Sequence, residues 1–406
     1  MGSVSRRVLR YPITKQIVWY TLGHSLLEED MTKGNIAVLV EGAKSGGDDD
    51  DGMSGVLYYL SFFHFFLINS SAITIAFDLL SNLGTQVYRM VCECALVALG
   101  WVFLLYLLYH LATVLYNLIY PFFIASPINL HKAAGGDWAV VTGSTDGIGK
   151  AYAFELARHG FSIILISRTQ SKLNAVKEEL EKECGVEVRT IAFDFTSGSV
   201  NEYEKTVLSL LRELNIGILV NNVGVSFSYP EIIYKAEGGL QRLADIDIVN
   251  TLPVTLLSAA VLPQMVERNS GIIVNISSAA AYSPVSLLSV YSASKKYVTW
   301  FSNILQKEYA ETNIIIQTVC PLLVTTKMSK VSRASFFFVT AEDFVKNAIQ
   351  TIGVVSETTG CFPHQLQAEI IKNLPEWIVV PYLSQKTELV RKKALAKKAR
   401  DMKATS

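Results

Sequence analysis

Two long runs without charged side chains, apart from histidines, stand in the first third of the chain at residues 55–77 and 94–130. About 20 apolar residues are enough to cross a bilayer as a helix. We therefore predict a membrane-anchoring region over residues 55–130, with candidate spans at 55–77 and 95–115. The pattern leaves open whether one or both runs cross. Neither run is a cleavable signal peptide, because each begins far from the N-terminus.

Polar segments lie on either side of these runs. Residues 1–54 include a Gly-, Ser- and Asp-rich stretch and predict a disordered tail. Because Met90 stands directly before the second run, a chain that started there would keep that run, and we expect residues 1–89 to be dispensable. Residues 371–406 predict a membrane-proximal segment with a basic helical tail, suited to anionic lipid or simply to water.

From Asp137 onward, short apolar strands alternate with amphipathic helical segments. Strands that are apolar on both faces are typical of a parallel sheet covered by helices on each side. The sequence therefore predicts an α/β fold with a Rossmann-like doubly wound parallel sheet in residues 131–370, preceded by the transmembrane helix or helices. The predicted strands are WAVVTG (138–143), SIILISR (162–168), EVRTIAFDF (187–195), IGILVNNVG (216–224), GIIVNISS (271–278) and IIIQTVCP (314–321).

Composition narrows the range of partners. The formal net charge is zero, and no basic cluster interleaves with aromatic residues in the middle of the chain, so we expect no nucleic-acid partner. The five cysteines have no partner at the spacing of a metal site, and we predict reduced thiols, a cytosol-facing compartment and no metal ion. These cysteines are Cys92, Cys94, Cys184, Cys320 and Cys361.

The turn after the first predicted strand reads TGSTDGIG, from Thr142 to Gly149. Gly143, Gly147 and Gly149 would allow a tight turn, a bare backbone beside a pyrophosphate, and a helix N-terminus directed at it. The turn therefore predicts dinucleotide binding, and its members Ser144 and Ile148 are candidate contacts as well.

The end of the second strand indicates which dinucleotide binds. An Asp or Glu about 20 residues after the glycines would hold the ribose 2′-hydroxyl of NAD. Here Ser167 and Arg168 occupy that place. A guanidinium can pair with a 2′-phosphate that a carboxylate would repel, and we predict NADP(H).

The stretch SVYSASKKYV holds a candidate proton donor. Residues four apart share a face of a helix, so Tyr291 can lie beside Lys295, whereas Lys296 points about 100° away. A neighbouring cation favours the phenolate and would lower the pKa of Tyr291. Taken alone, this pair is a weak signal.

The motifs together resemble the short-chain dehydrogenase/reductase family. The matching segments are Thr142–Gly149, Asn221–Gly224, Asn250, Asn275–Ser278 and Tyr291–Lys295. From about residue 90 to 400, the amino-acid sequence is similar to the membrane-bound branch of the family that contains very-long-chain 3-oxoacyl-CoA reductase, also called 17β-hydroxysteroid dehydrogenase type 12. The nematode forms are the most similar.

The resemblance implies a catalytic set of Tyr291, Ser278, Lys295 and Asn250. Tyr291 would protonate the substrate oxygen, and Ser278, 13 residues before it, would orient that oxygen. Lys295 would also reach the nicotinamide ribose, and Asn250 would hold a water that restores the proton through Lys295. The cofactor contacts implied are Asp194 for the adenine, Asn221 and Gly224 beside the cofactor, Tyr291 and Lys295, and Thr326 for the nicotinamide amide. The family usually has Pro-Gly before that threonine, whereas this chain has Pro321-Leu322.

The implied reaction is the NADPH-dependent reduction of long- or very-long-chain 3-oxoacyl-CoA in fatty-acid elongation. The alternatives are a ketosteroid dehydrogenase with the same catalytic residues and, in another class, an inactive membrane scaffold. The expected partners are the acyl-CoA or steroid substrate, membrane lipid, other elongation enzymes and a second copy in a homodimer. The expected location is the endoplasmic reticulum membrane, with the reductase domain facing the cytosol.

Overall fold

The computed structural model describes residues 71–329 and 333–405. The predicted tail at residues 1–54, and the candidate span at 55–77 up to residue 70, lie outside the described residues. The chain divides after Val97 into two compact units, and the sheet with all its covering helices lies in the second.

Helix α1 (Ser71–Ile119) contains the whole candidate span at 95–115. It also runs without interruption through residues 78–94, between the two candidate spans. Apolar side chains along it are exposed, as expected for a helix that contacts lipid. Helix α1 with the turn that follows is one of two helical segments, among the described residues, that are long and apolar enough to cross a membrane. The other (Gly239–Glu267) is largely packed inside the protein and is a core helix.

Helix α1 ends where a proline prevents its continuation. Pro121 has no backbone N–H to donate, and a π-helical turn (Tyr120–Ile124) replaces the regular helix there. Pro121 is buried, whereas Phe123 and Ile124 remain exposed. Apolar side chains thus continue on the surface past the end of the helix.

The sheet has seven parallel strands in the order β3-β2-β1-β4-β5-β6-β7. The predicted α/β doubly wound fold is confirmed. All six predicted strands are present. The strands are β1 (Trp138–Thr142), β2 (Ser162–Ser167), β3 (Val188–Ala192), β4 (Ile216–Asn221), β5 (Gly271–Ile276), β6 (Ile314–Val319) and β7 (Glu357–Thr358).

Helices connect these strands and cover both faces of the sheet. Short 3₁₀ turns at Ile233–Lys235 and Ala279–Ala281 and a π turn at Glu204–Leu208 complete the elements. The helices after α1 are α2 (Leu130–Ala134), α3 (Gly147–Arg158), α4 (Gln170–Cys184), α5 (Val200–Tyr203), α6 (Ser209–Glu213), α7 (Gly239–Glu267), α8 (Ser289–Glu308), α9 (Ala341–Gln350), α10 (Phe362–Asn373) and α11 (Glu376–Thr405).

The core lies in two layers because neighbouring strand residues face opposite sides. Val141 and Leu165 pack in one layer with helices such as α3, and Val140 and Ile164 pack in the other with α7. All four side chains are fully buried. Burial on both faces explains why these strands are apolar throughout rather than alternating.

The strand order reverses between β1 and β4, and this reversal positions the site. Strands β1 to β3 follow one another in one direction, whereas β4 to β7 follow in the other. In open parallel sheets, the crevice at such a reversal, beyond the carboxyl ends of the strands, is where ligands bind. The loops after Thr142 and Asn221 meet at that place.

Candidate active site

The glycine turn joins β1 to α3 in a shape that side chains would prevent. Gly143 and Gly147 have left-handed φ angles of 63° and 53°. A Cβ on Gly149 would lie 2.4 Å from the backbone oxygen of Gly143 and 2.4 Å from the amide nitrogen of Asn222. The turn is therefore closed tightly behind the helix N-terminus, where anions bind favourably.

Asn222, which the sequence analysis passed over, fastens this turn to β4. Its side-chain amide donates to the backbone oxygens of Thr142 at 2.9 Å and Gly143 at 3.3 Å. Its backbone N–H donates to the Thr142 hydroxyl at 2.9 Å. Only the tertiary pairing of β1 with β4 brings these residues together, and their separation of 80 positions carries no local signal.

The predicted members of the turn face different ways. The Ser144 side chain is fully buried and approaches the backbone oxygen of Ile166 at 3.5 Å, so it supports the turn from within. Ile148 is half-buried and packs against the core. Asp146 caps α3 by accepting a hydrogen bond from the N–H of Gly147 at 2.9 Å.

The end of β2 presents a cationic group to the same crevice. Ser167 shares a hydrogen bond of 3.1 Å with Thr145 of the glycine turn, which places the start of the β2 loop beside that turn. Arg168 follows at once and is exposed. Among residues 71–329 and 333–405, no ion pair or hydrogen bond engages its guanidinium, which is therefore able to meet a phosphate.

Asp194 and Asn221 lie at the ends of β3 and β4. Asp194 is exposed and accepts hydrogen bonds at 3.0 Å from the N–H and the hydroxyl of Thr196. The Asn221 amide donates to Asn275 at 2.8 Å and to Ser258 at 3.2 Å in the buried interior. The Asn221 side chain therefore stabilises the junction of β4, β5 and α7, and its role toward the cofactor stays a prediction.

Ser278 and Tyr291 face each other across the end of β5 and the start of α8. The Ser278 hydroxyl lies close enough to Tyr291 to lower the pKa of that tyrosine in part. Ser277 points elsewhere, donating to the backbone oxygen of Lys295 at 2.7 Å. The Ser292 hydroxyl bonds Ala280 at 2.6 Å and ties the helix to the turn after Ser278. Ser278 therefore lies beside Tyr291 whereas Ser277 does not, and the catalytic role of Ser278 stays a prediction.

Lys295 is buried and Lys296 is exposed, as the helical spacing predicts. The Lys295 ammonium donates to the backbone oxygen of Ile276 at 2.9 Å. A Cβ on Gly224 would lie 3.2 Å from this nitrogen and 3.2 Å from the side-chain oxygen of Asn250. The three residues therefore converge, and only glycine leaves room between the loop and the ammonium.

The expected lowering of the Tyr291 pKa by Lys295 is not present in the protein alone. Burial raises the pKa of Tyr291, and the hydrogen bond from Ser278 offsets this effect only in part. Burial also lowers the pKa of Lys295 to about 8, because its charged form is poorly hydrated. Since the ammonium is directed at Ile276, desolvation outweighs its influence on the phenol.

Asn250 is held from several sides within α7. Its side-chain oxygen accepts from the N–H of Val225 at 2.8 Å, and its amide donates to Val225 at 3.0 Å and to Ser294 at 2.9 Å. Asn250 therefore joins the loop after β4 to the helix of Tyr291. The expected bridging water stays a prediction.

The loop after β6 packs against the glycine turn. A Cβ on Gly147 would lie 3.0 Å from the methyl group of Thr326, which places this threonine beside the helix N-terminus. Leu322, in the place where the family has glycine, donates its N–H to His364 at 3.3 Å. Burial lowers the pKa of His364 to about 4, so the ring is neutral and accepts this bond. No motif in the sequence predicts this role of His364.

Comparisons with known proteins match this geometry. The family model for short chain dehydrogenase matches residues 137–335. The chain is 51% identical over 316 residues to the very-long-chain 3-oxoacyl-CoA reductase of Caenorhabditis elegans, covering 78% of this chain and 100% of that protein. It is 49% identical over 299 residues to putative steroid dehydrogenase 2 of the same species, covering 73% and 95%.

Two further comparisons extend the match. The chain is 44% identical over 269 residues to the very-long-chain 3-oxoacyl-CoA reductase of Mus musculus, covering 66% of this chain and 84% of that protein. Among solved structures, a 7β-hydroxysteroid dehydrogenase is similar with a TM-score of 0.57 at 20% identity, covering 63% and 99%. This structural similarity supports the fold alone.

Proposed function

Because this chain belongs to the short-chain dehydrogenase family, we propose that it reduces the 3-keto group of long- or very-long-chain 3-oxoacyl-CoA with NADPH, as a step of fatty-acid elongation. The observation that carries this proposal is the convergence of Ser278, Tyr291 and Lys295 beside the glycine turn, at the reversal of strand order. The proteins it resembles include 3-oxoacyl-CoA reductases of a nematode and of mammals.

The residues around the crevice fit an NADP(H) cofactor. Gly224 presents bare backbone beside the Lys295 ammonium, where a ribose and nicotinamide would lie. The N-terminus of α3 would hold the pyrophosphate, and the unengaged guanidinium of Arg168 would meet the 2′-phosphate. Asp194 would contact the adenine, and Thr326 would contact the nicotinamide amide. NADPH, when bound, supplies the hydride.

The protein side chains perform the proton chemistry. As the 3-keto carbon is reduced, its oxygen gains negative charge and needs a hydrogen-bond donor and a proton. Ser278 would hold that oxygen, and Tyr291 would donate its phenolic proton to it. Because burial raises its pKa, Tyr291 is protonated at neutral pH and therefore carries the proton that the oxygen needs. Lys295 and Asn250 would then restore the proton.

Ketosteroid reduction is the second candidate. Several relatives at 48 to 52% identity are named putative steroid dehydrogenases. The same catalytic residues would serve both substrates, since each presents a ketone to Tyr291. The extended apolar helix α1 favours the acyl-CoA, because a very long acyl chain partitions into the bilayer at which the enzyme is held.

A direct assay distinguishes the two substrates. Purified full-length protein in nanodiscs would be given NADPH with either a long-chain 3-oxoacyl-CoA or a ketosteroid, and NADPH consumption would be followed. We expect faster turnover per active site with the acyl-CoA. A clear preference for the ketosteroid would replace the first proposal by the second, and no turnover with either would favour the inactive scaffold.

The proposed location is the endoplasmic reticulum membrane, with the reductase domain in the cytosol. Its support is the long apolar helix and five cysteines that are all free. Lys132, soon after helix α1, agrees with the excess of basic residues on cytosolic sides. Protease treatment of sealed microsomes should remove a C-terminal tag without detergent. Protection of that tag would reverse the orientation.

A homodimer is also proposed, through an exposed apolar stripe on α8. Tyr297, Trp300 and Ile304 are 41%, 63% and 43% exposed and lie on one face of that helix. A second copy would cover them. Association with other elongation enzymes stays a prediction. Chemical crosslinking of the reconstituted protein should give a dimer that Trp300→Glu disrupts.

A further inference from the structure

The C-terminal helix α11 has two different faces. One face packs on the protein, with Val379 buried and Leu383 and Thr387 partly covered. The other exposes large apolar side chains in its first half. The exposed members, including those at the preceding end of α10, are Ile370 (54%), Leu374 (42%), Trp377 (76%), Ile378 (39%), Tyr382 (55%) and Leu389 (50%).

The second half of this exposed face is basic. Residues 376–405 hold eight lysines and arginines against three acidic residues. Arg391 and Lys398 are engaged by Glu231 and Glu237 on the protein. Lys392, Lys393 and Lys397 are exposed, and no ion pair to them is present in the described parts of the chain. The helix therefore changes along its length from apolar and aromatic to cationic.

The apolar half lies next to the end of the membrane helix. Phe123, just after α1, meets Phe362 of α10 edge to face, with ring centroids 5.1 Å apart. Asn117 of α1 donates to Glu369 of α10 at 3.3 Å. Leu374 then joins α10 to α11. The exposed apolar surface of α10 and α11 thus begins close to the end of α1, after which Phe123 and Ile124 are exposed.

We infer that this face of α10 and α11 lies on the bilayer, as a second membrane contact beside α1. Trp and Tyr are the side chains that favour the headgroup level, which suits Trp377 and Tyr382. A basic surface suits anionic headgroups, which Lys392, Lys393 and Lys397 would meet. A bilayer containing anionic lipid is the occupant that matches both halves of the face.

Lipid-dependent quenching of tryptophan emission tests this contact. Full-length protein would be reconstituted into bilayers with and without brominated lipid, as wild type, Trp377→Phe and Trp300→Phe. Trp300 is the matched control because it is 63% exposed but lies on α8. We expect brominated lipid to quench less emission in Trp377→Phe than in the wild type, because a tryptophan that contacts lipid has been removed. The amount of emission quenched in Trp300→Phe should equal that in the wild type. Both positions are exposed, so neither change should disturb folding.

A second arm tests the cationic half. Replacing Lys392, Lys393 and Lys397 by Gln should weaken docking on bilayers with anionic lipid by on the order of a hundredfold, at about fivefold per lysine near the surface. The same change should have little effect on neutral bilayers.

If Trp377 emission is not quenched by lipid, the inference is wrong. If it changes instead with protein density in the bilayer, a second copy covers this face.

Discussion

The ion pair between Glu231 and Arg391 fastens the C-terminal helix α11 to the segment between β4 and α7. The carboxylate is 4% exposed, and the guanidinium nitrogen lies 2.7 Å from it. The N–H of Glu231 in turn donates to the backbone oxygen of Leu287 at 3.0 Å, four residues before Tyr291. Leu287 has a left-handed φ of 66°, which a leucine adopts only when its surroundings hold it there.

Arg391→Met should be costly because it leaves a carboxylate buried without its partner. Breaking a buried pair costs about 3–5 kcal/mol, and we expect about 3 kcal/mol here because Arg391 keeps some exposure. The matched control is Lys398→Met, whose pair with Glu237 is about half exposed on each side and should cost much less. The free energy of unfolding in urea would be compared for both variants.

The stability loss in Arg391→Met should depend on pH in a definite direction. Burial raises the pKa of the Glu231 carboxyl, but hydrogen bonds from the Ile232 N–H and from Arg391 bring it below its ordinary value. The pair therefore stabilises the protein at pH values above the pKa that Glu231 has in the unfolded chain. This stability is lost as the pH falls through the pKa that Glu231 has in the folded protein. The deficit of Arg391→Met should shrink toward acid pH.

Two further readouts complete the test. The double variant Glu231→Gln with Arg391→Met should recover much of the stability, because no charge is left buried. Under the proposed function, Arg391→Met should raise the KM for the acyl-CoA more than it lowers kcat, since the loop at Glu231 supports Leu287. Equal losses from Arg391→Met and Lys398→Met would refute the reasoning.

Three other predictions concern the reaction. Tyr291→Phe should keep the fold and NADPH binding while turnover falls by about 10²–10⁴-fold. Lys296→Ala should change turnover little. Similar losses of turnover in both variants would contradict the assignment of helix faces. Arg168→Asp should weaken NADPH binding about tenfold to a hundredfold in titrations and favour NADH, and a wild-type preference for NADH would exclude this role. The ketone reduction rate should fall as the pH rises above about 8, where Lys295 loses its proton, and a rate that rises there would contradict that role.

The strands and the catalytic helix could be predicted because their signals are local. Apolar runs of a few residues define β1, β2 and β6, and the spacing of Tyr291 and Lys295 gives one helix face. Strand β7 has only two residues, too few for any pattern. Its position depends on pairing with β6, which the sequence does not reveal.

The parts of the site that the sequence missed all depend on contacts between distant segments. Asn222 fastens the glycine turn across 80 positions, and Arg391 reaches Glu231 across 160. The pKa of Tyr291 depends on burial and on where the Lys295 ammonium points, neither of which spacing determines. His364 belongs to none of the motifs, and only the fold brings it to the loop after β6.

The central claim is that this site passes a hydride to the 3-keto carbon while Tyr291 supplies the proton. NADPH with both hydrogens of its reactive carbon replaced by deuterium would be given to the full-length protein in nanodiscs with a long-chain 3-oxoacyl-CoA, and the product would be examined by mass spectrometry. We predict a 3-hydroxyacyl-CoA with one deuterium on carbon 3 from the wild type, and almost none from Tyr291→Phe. An unlabelled product, or equal labelling by both proteins, would contradict the account.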